Sequence, residues 1–163
     1  MPGNDLLSGY GVWFEQHVKK MNVVSGKKFD ILIPRSDLSQ LDHPAFLGNS
    51  TSHLWRFRPS AVVIETDNNN GAFSFHVMLG VSNAIALKDV GELNCYARIM
   101  GAKSGCLISP KGVSNEVRLV QAEASVRNRL FNSATSLGLF LIEWDLSTGT
   151  VIGESVIPIE TVI

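Results

Sequence analysis

Two apolar runs on either side of a tract of asparagines, AVVIETD and AFSFHVMLG around NNNG, constrain this chain more than any other stretch. Runs rich in β-branched and aromatic residues that flank Asp67-Asn68-Asn69-Asn70-Gly71 predict a β-hairpin. On the second run Phe73, Phe75, Val77 and Leu79 alternate with Ala72, Ser74, His76 and Met78. One face of that strand is therefore wholly apolar and the other mixed. A hairpin with one greasy face is not stable alone in water, so the rest of the chain must cover it.

The remaining segments supply that cover. NDLLSGYGVWFEQHVKKM, residues 4–21, has Leu6, Leu7, Tyr10, Trp13 and Phe14 at helical spacing and predicts a first helix. KKFDILIPR predicts a short strand closed by Pro34. Residues 35–53 are rich in Ser, Asp, Asn, Gly and Pro and predict a long loop anchored by Leu38, Leu41, Phe46 and Leu47. Further strand character is expected from His53 through Pro59 into the hairpin. Two more helices are expected, over residues 81–105 and 113–131, with the strand GCLISPKG between them. The end, residues 143–163, reads as a C-terminal hairpin around a Thr-Gly turn. This order predicts an α+β (or α/β) fold, a mixed sheet with a central hairpin flanked by about three helices, in one domain over residues 1–163.

Hydrophobic residues make up 45% of the 163 and charged residues 18%, which is the composition of a folded domain and excludes a disordered one. No apolar run reaches the length needed to span a bilayer, and the first 20 residues lack the basic head and apolar segment of a signal peptide. The expected location is cytoplasmic, with no membrane partner. Cys95 and Cys106 read as small buried apolar residues, and without a CxxC or paired histidines a zinc site is not expected.

Net charge is −1, yet Lys88, Arg98, Lys103, Lys111, Arg118, Arg127 and Arg129 stand against Asp89, Glu92, Glu116 and Glu123 over one stretch. Lys103 and Lys111 are accordingly the candidates for contacting nucleic acid. Glu65 and Asp67 share a strand face at i, i+2, the spacing of a metal pair, although acids beside three asparagines read first as an exposed turn. With His76, the lone titratable group on its strand, they are the candidate catalytic groups. LWRFRP interleaves aromatic residues with arginines, so Arg56, Arg58, Trp55 and, from the second helix, Tyr96 are the candidates for binding a ligand. No nucleophile elbow and no phosphate-cradling glycine loop is present.

The order helix, three strands, helix, strand, with RPS opening a strand at Arg58-Pro59-Ser60 and ELNCYARIMGAKSGCLISPKG following, resembles the PD-(D/E)XK nuclease superfamily over residues 29–110. That resemblance implies Mg²⁺ or Mn²⁺ held by acids on two adjacent strands beside a scissile phosphate. Pro59-Ser60 stands where Pro-Asp would be, FSFHVML stands where Glu-x-Lys would be, and Glu92 to Tyr96 replaces Gln to Tyr. Ser60 cannot act as an anionic metal ligand, and no lysine follows at the matching spacing. The motif is degenerate.

Three functional expectations follow. The first is a non-catalytic interaction or small-ligand-binding module without a cofactor that self-associates as a dimer or larger homo-oligomer. The second is a nuclease-like domain that retains nucleic-acid binding without cleavage. The third is a small-molecule enzyme with an acid/histidine cleft.

Overall fold

The computed structural model describes residues 27–126, 138–152 and 157–158 of the chain. Strand β1 (Lys27–Leu32) lies antiparallel against β2 (Ala61–Asp67), which pairs antiparallel with β3 (Phe73–Gly80). The β2–β3 turn closes through bonds from Gly71 N to Asp67 O and from Asp67 N to Ala72 O. Its polar side chains brace it: Asp67 Oδ1 accepts from Asn69 N and Asn70 Oδ1 from Ala72 N. Gly71 adopts φ of 69°, a conformation that a Cβ would strain.

Between β1 and β2 the chain makes two 3-10 turns, Leu38–Gln40 and Ser52–Leu54, around a one-turn helix α1 (Pro44–Leu47). Strand pairing expected from His53 onward begins only at Ala61. Pro59 has no N–H to give to a ladder, and the chain enters the sheet through Ser60 N donating to Met78 O. Trp55 and Phe57 are buried while Arg56 and Arg58 are exposed.

Helix α2 (Leu87–Met100) and strand β4 (Ser104–Ser109) follow β3 as a crossover, so β4 runs parallel to β3. The helix starts six residues later than its apolar pattern suggested. Ile85 is held extended by bonds to Gly112 and Ser114, which make a parallel bridge to Val113. Asp89 Oδ2 accepts from Ala86 N at the helix start, and Gly101 in the left-handed region ends it. Val90, Leu93, Ala97 and Met100 form the buried stripe. Cys95 lies off that stripe and is exposed, contrary to the expectation from its residue type.

Ser114 caps α3 (Asn115–Ala122), its Oγ accepting from Val117 N. Strand β5 (Gly138–Asp145) is parallel to β4. β6 (Thr150–Val151) and β7 (Ile157–Pro158) both pair antiparallel with β5. The sheet order is β1-β2-β3-β4-β5-β6, a mixed sheet of an α+β fold. The third expected helix breaks at Glu123, whose backbone is extended (φ −90°, ψ 99°). Its last expected residues, 127–131, and the first expected helix, residues 4–21, lie outside the described residues. Among the described residues, no helix is long and apolar enough to cross a membrane.

The sheet has two buried faces. Val62, Ile64, Phe75, Val77, Leu107, Leu139 and Leu141 meet α2, α3 and the segment carrying Leu38, Phe46 and Trp55. The opposite face buries Phe29, Ala61, Val63, Met78, Ile108, Ile142 and Trp144. Gly105 sets the spacing between α2 and the sheet. A Cβ there would stand 2.9 Å from Leu139 Cδ2 and 3.0 Å from Leu93 Cγ. Gly105→Ala is expected to destabilise by about 1–3 kcal/mol through overpacking, read as a lower urea midpoint with an unchanged slope.

A carboxylate shared by two lysines and a histidine

The second sheet face changes character at its hairpin end. Glu65 lies on the same face as Ala61 and Val63 because strand residues two apart point alike. Its register partner on β3 is Ser74, which places His76 diagonally beside it. Its partner on β1 is Phe29, with Lys27 two residues before on the same face. Ser104 opens β4 directly opposite His76, and Lys103 immediately precedes it. Four strands of a hydrogen-bonded sheet thus bring together residues distributed from position 27 to position 104.

Glu65 is 6% exposed, so its charge must be compensated. Lys27 Nζ donates to Glu65 Oε1 at 2.6 Å and Lys103 Nζ donates to the same oxygen at 2.9 Å. His76 Nε2 is 2.9 Å from Oε2, and His76 Nδ1 is 2.7 Å from Ser104 Oγ. Burial alone would push the Glu65 carboxyl up, but the bonds from Lys27, Lys103 and His76 outweigh it and hold the pKa at about 2. Burial lowers His76 below its usual value against the opposing pull of Glu65, so the ring is neutral at pH 7. An ionised carboxylate only accepts. Nε2 therefore carries the proton, and Nδ1 accepts the Ser104 hydroxyl.

The reading of Glu65 as an exposed turn acid is corrected by this geometry. The strand continues two residues beyond it, and the turn begins with Asp67. Asp67 does serve the turn, through Asn69. The metal that the nuclease resemblance implies does not fit these residues. Both Glu65 oxygens are engaged by cationic or N–H donors, and among the described residues no group of three or more His, Cys, Asp or Glu is gathered to hold an ion.

The other candidates are dispersed. Lys111 follows β4 while Lys103 precedes it, so the two lysines stand at opposite ends of one strand; Lys111 Nζ reaches Asn83 Oδ1 at 3.4 Å. Trp55 is fully buried in the first core. Arg58 Nε donates to Pro34 O. Arg56 lines an open cleft of about 480 Å³ with Asp37, Ser39, Gln40 and His53. Tyr96 stacks on Phe57 at 4.2 Å and donates to Glu92 Oε1, a bond that raises its pKa to about 12.

Lys27 and Ser104 carry no recognisable spacing signal in the sequence. The one available cue was a glutamate continuing an otherwise apolar central strand, which must find cations somewhere in the fold. No protein-family model matches the chain, and no curated protein matches it.

Proposed function

We propose that the protein is a ligand-binding module that receives an anionic group at Lys27 and Lys103, at the hairpin end of the sheet. One observation carries this reading: two ammonium groups contact the same oxygen of one buried carboxylate. Two like charges this close repel, and a single carboxylate cannot neutralise both. A second anion relieves that repulsion. The lysine side chains are 37% and 51% exposed, so their outer sides remain open to a ligand. Asp67 weakens the positive field at Lys27 only from a distance, and its Oδ1 accepts from Asn69 N.

The element order that resembles a nuclease supports a related reading in which the anion is a nucleic-acid phosphate. Of the two lysines expected to contact nucleic acid, only Lys103 belongs to this cluster. Self-association belongs to the same proposal. Leu47 at 70% and Leu54 at 56% exposure leave apolar surface on the segment between β1 and β2. Light scattering at high concentration should then give at least twice the 17.8 kDa chain mass.

Inorganic pyrophosphate is expected to raise the melting temperature of the wild-type protein and not that of Lys27→Met/Lys103→Met. An equal rise in both, or none in either, would sink the anion site. A labelled single-stranded oligonucleotide tests the phosphodiester version. Its affinity should fall steeply with salt and weaken in the same double variant.

A further inference from the structure

The anion site accounts for the two lysines but leaves the other side of Glu65 unexplained. From Oε2 a continuous chain runs through His76 to a serine hydroxyl. The distances are 2.9 Å from Glu65 Oε2 to His76 Nε2 and 2.7 Å from His76 Nδ1 to Ser104 Oγ. This is the arrangement of a nucleophile, a base within hydrogen-bond reach, and a carboxylate that orients the base. No spacing in the sequence announces it, because the three residues come from three different strands.

We propose that Ser104 is a nucleophile activated by His76 and Glu65, and that it attacks the carbonyl carbon of an ester carrying an anionic group. The choice of an anionic substrate rests on the reading of Lys27 and Lys103 above. The nucleophile itself does not.

Three features support the assignment. The three side chains stand on adjacent strands β2, β3 and β4, whose ladders fix the backbone beneath each of them. Two lysines keep Glu65 ionised, which fixes the His76 tautomer so that Nδ1 is free to take the hydroxyl proton. The site is also reachable, since the His76 side chain is 23% exposed and Ser104 is only partly buried. Lys103, the residue directly before Ser104, holds its ammonium on Glu65 Oε1 and so supports the orienting carboxylate.

The chemistry balances without any further reactant except water. Ser104 Oγ forms a bond to the carbonyl carbon as its proton moves to His76 Nδ1. The carbon–oxygen bond to the alcohol then breaks, and the departing oxygen takes that proton. Water, deprotonated in turn by His76, attacks the acyl-serine and releases the acid, returning the proton to Ser104.

The test uses the full chain with p-nitrophenyl acetate, a neutral activated ester that needs no anion site, and with an alkyl fluorophosphonate that traps serine nucleophiles. The expected result is a burst of one p-nitrophenolate per chain and one adduct mapped by peptide mass spectrometry to Ser104. Both should be absent in Ser104→Ala and strongly reduced in His76→Gln. Melting curves confirm that each variant is folded, and Ser109→Ala, a buried serine bonded to Asn83 O, serves as the unaffected control. An adduct on Lys103 alone, labelling that persists in Ser104→Ala, or no adduct on folded wild type would overturn the assignment. Loss of pyrophosphate binding with Ser104 labelling intact would overturn only the anion site.

Discussion

Glu65→Ala is expected to destabilise the fold by about 3 kcal/mol at neutral pH, one of the two largest single-residue effects expected in this protein. The figure rests on two arguments. Holding a carboxyl near pKa 2, against an ordinary 4.5, corresponds to roughly 3 kcal/mol of preferential stabilisation of the charged native form. Separately, removing one member of a buried ion pair costs about 3–5 kcal/mol where the remaining charge stays buried. Here the lysines are 37% and 51% exposed and can turn to water, so the lower end applies. His76 has no such escape: it loses the partner of its Nε2 proton while staying mostly buried.

The same network predicts how stability depends on acidity. The folded pKa of Glu65 lies below its unfolded value. The stabilisation is therefore complete above about pH 4.5 and is lost as pH falls toward 2. His76 is also depressed, so below its ordinary 6.5 the unfolded chain takes up a proton more readily than the native one. Both groups lower stability on acidification, with His76 acting first. Urea titrations across this range should show wild type losing stability through both steps and Glu65→Ala losing less through the lower one, where Asp145, held below its usual value by its bonds from Ser147, still titrates. An unchanged acid limb in the variant would show that the carboxylate is not held as described. Lys27→Met and Lys103→Met should be mild singly, because either ammonium alone still neutralises Glu65. Their combination should cost more than the sum, because only a neutral histidine then faces the charge.

The hairpin was legible because its information is local: alternation sets the two faces, and Asp67, Asn70 and Gly71 close the turn within five residues of one another. The Glu92–Tyr96 bond is local too, one helical turn apart. The Glu65 cluster is the opposite case. Its lysines come from the start of an edge strand and from the residue just before β4, each 38 residues from the glutamate. Which residues meet across β1, β2, β3 and β4 depends on register, and a slip of one residue would turn Glu65 to the other face. Spacing could show that Glu65 and Asp67 share a face but not that Glu65 joins the lysines while Asp67 serves the turn. Ser104 was invisible for the same reason, since its partner was assigned by a parallel pairing that closes only after α2.

Trp55→Ala is the second large effect, expected to cost about 3–5 kcal/mol through the cavity it leaves. Trp55 is fully buried and stands edge-on to Phe46 at 5.4 Å and to Phe75 at 5.3 Å. It thus pins the segment between β1 and β2 onto the sheet. Its own backbone oxygen accepts from Ser39 N, and Phe57 O accepts from Leu38 N, so the anchor also fixes the first 3-10 turn. Trp55→Phe separates packing from polarity. The indole Nε1 is buried and finds no hydrogen-bond partner among the described residues. Phenylalanine removes that unsatisfied donor, which offsets part of the lost volume, and the expected net change is within about 1.5 kcal/mol. Because Trp55 belongs to the first core and Glu65 to the opposite face, Trp55→Ala should loosen the Arg56 cleft while leaving the pyrophosphate response of the folded fraction intact. Hydrogen exchange that rises across residues 38–57 but not across β2 and β3 would bear this out. Exchange rising equally at His76 and Ser104 would instead mean that the two faces of the sheet are coupled, and that the cluster depends on the anchor beneath it.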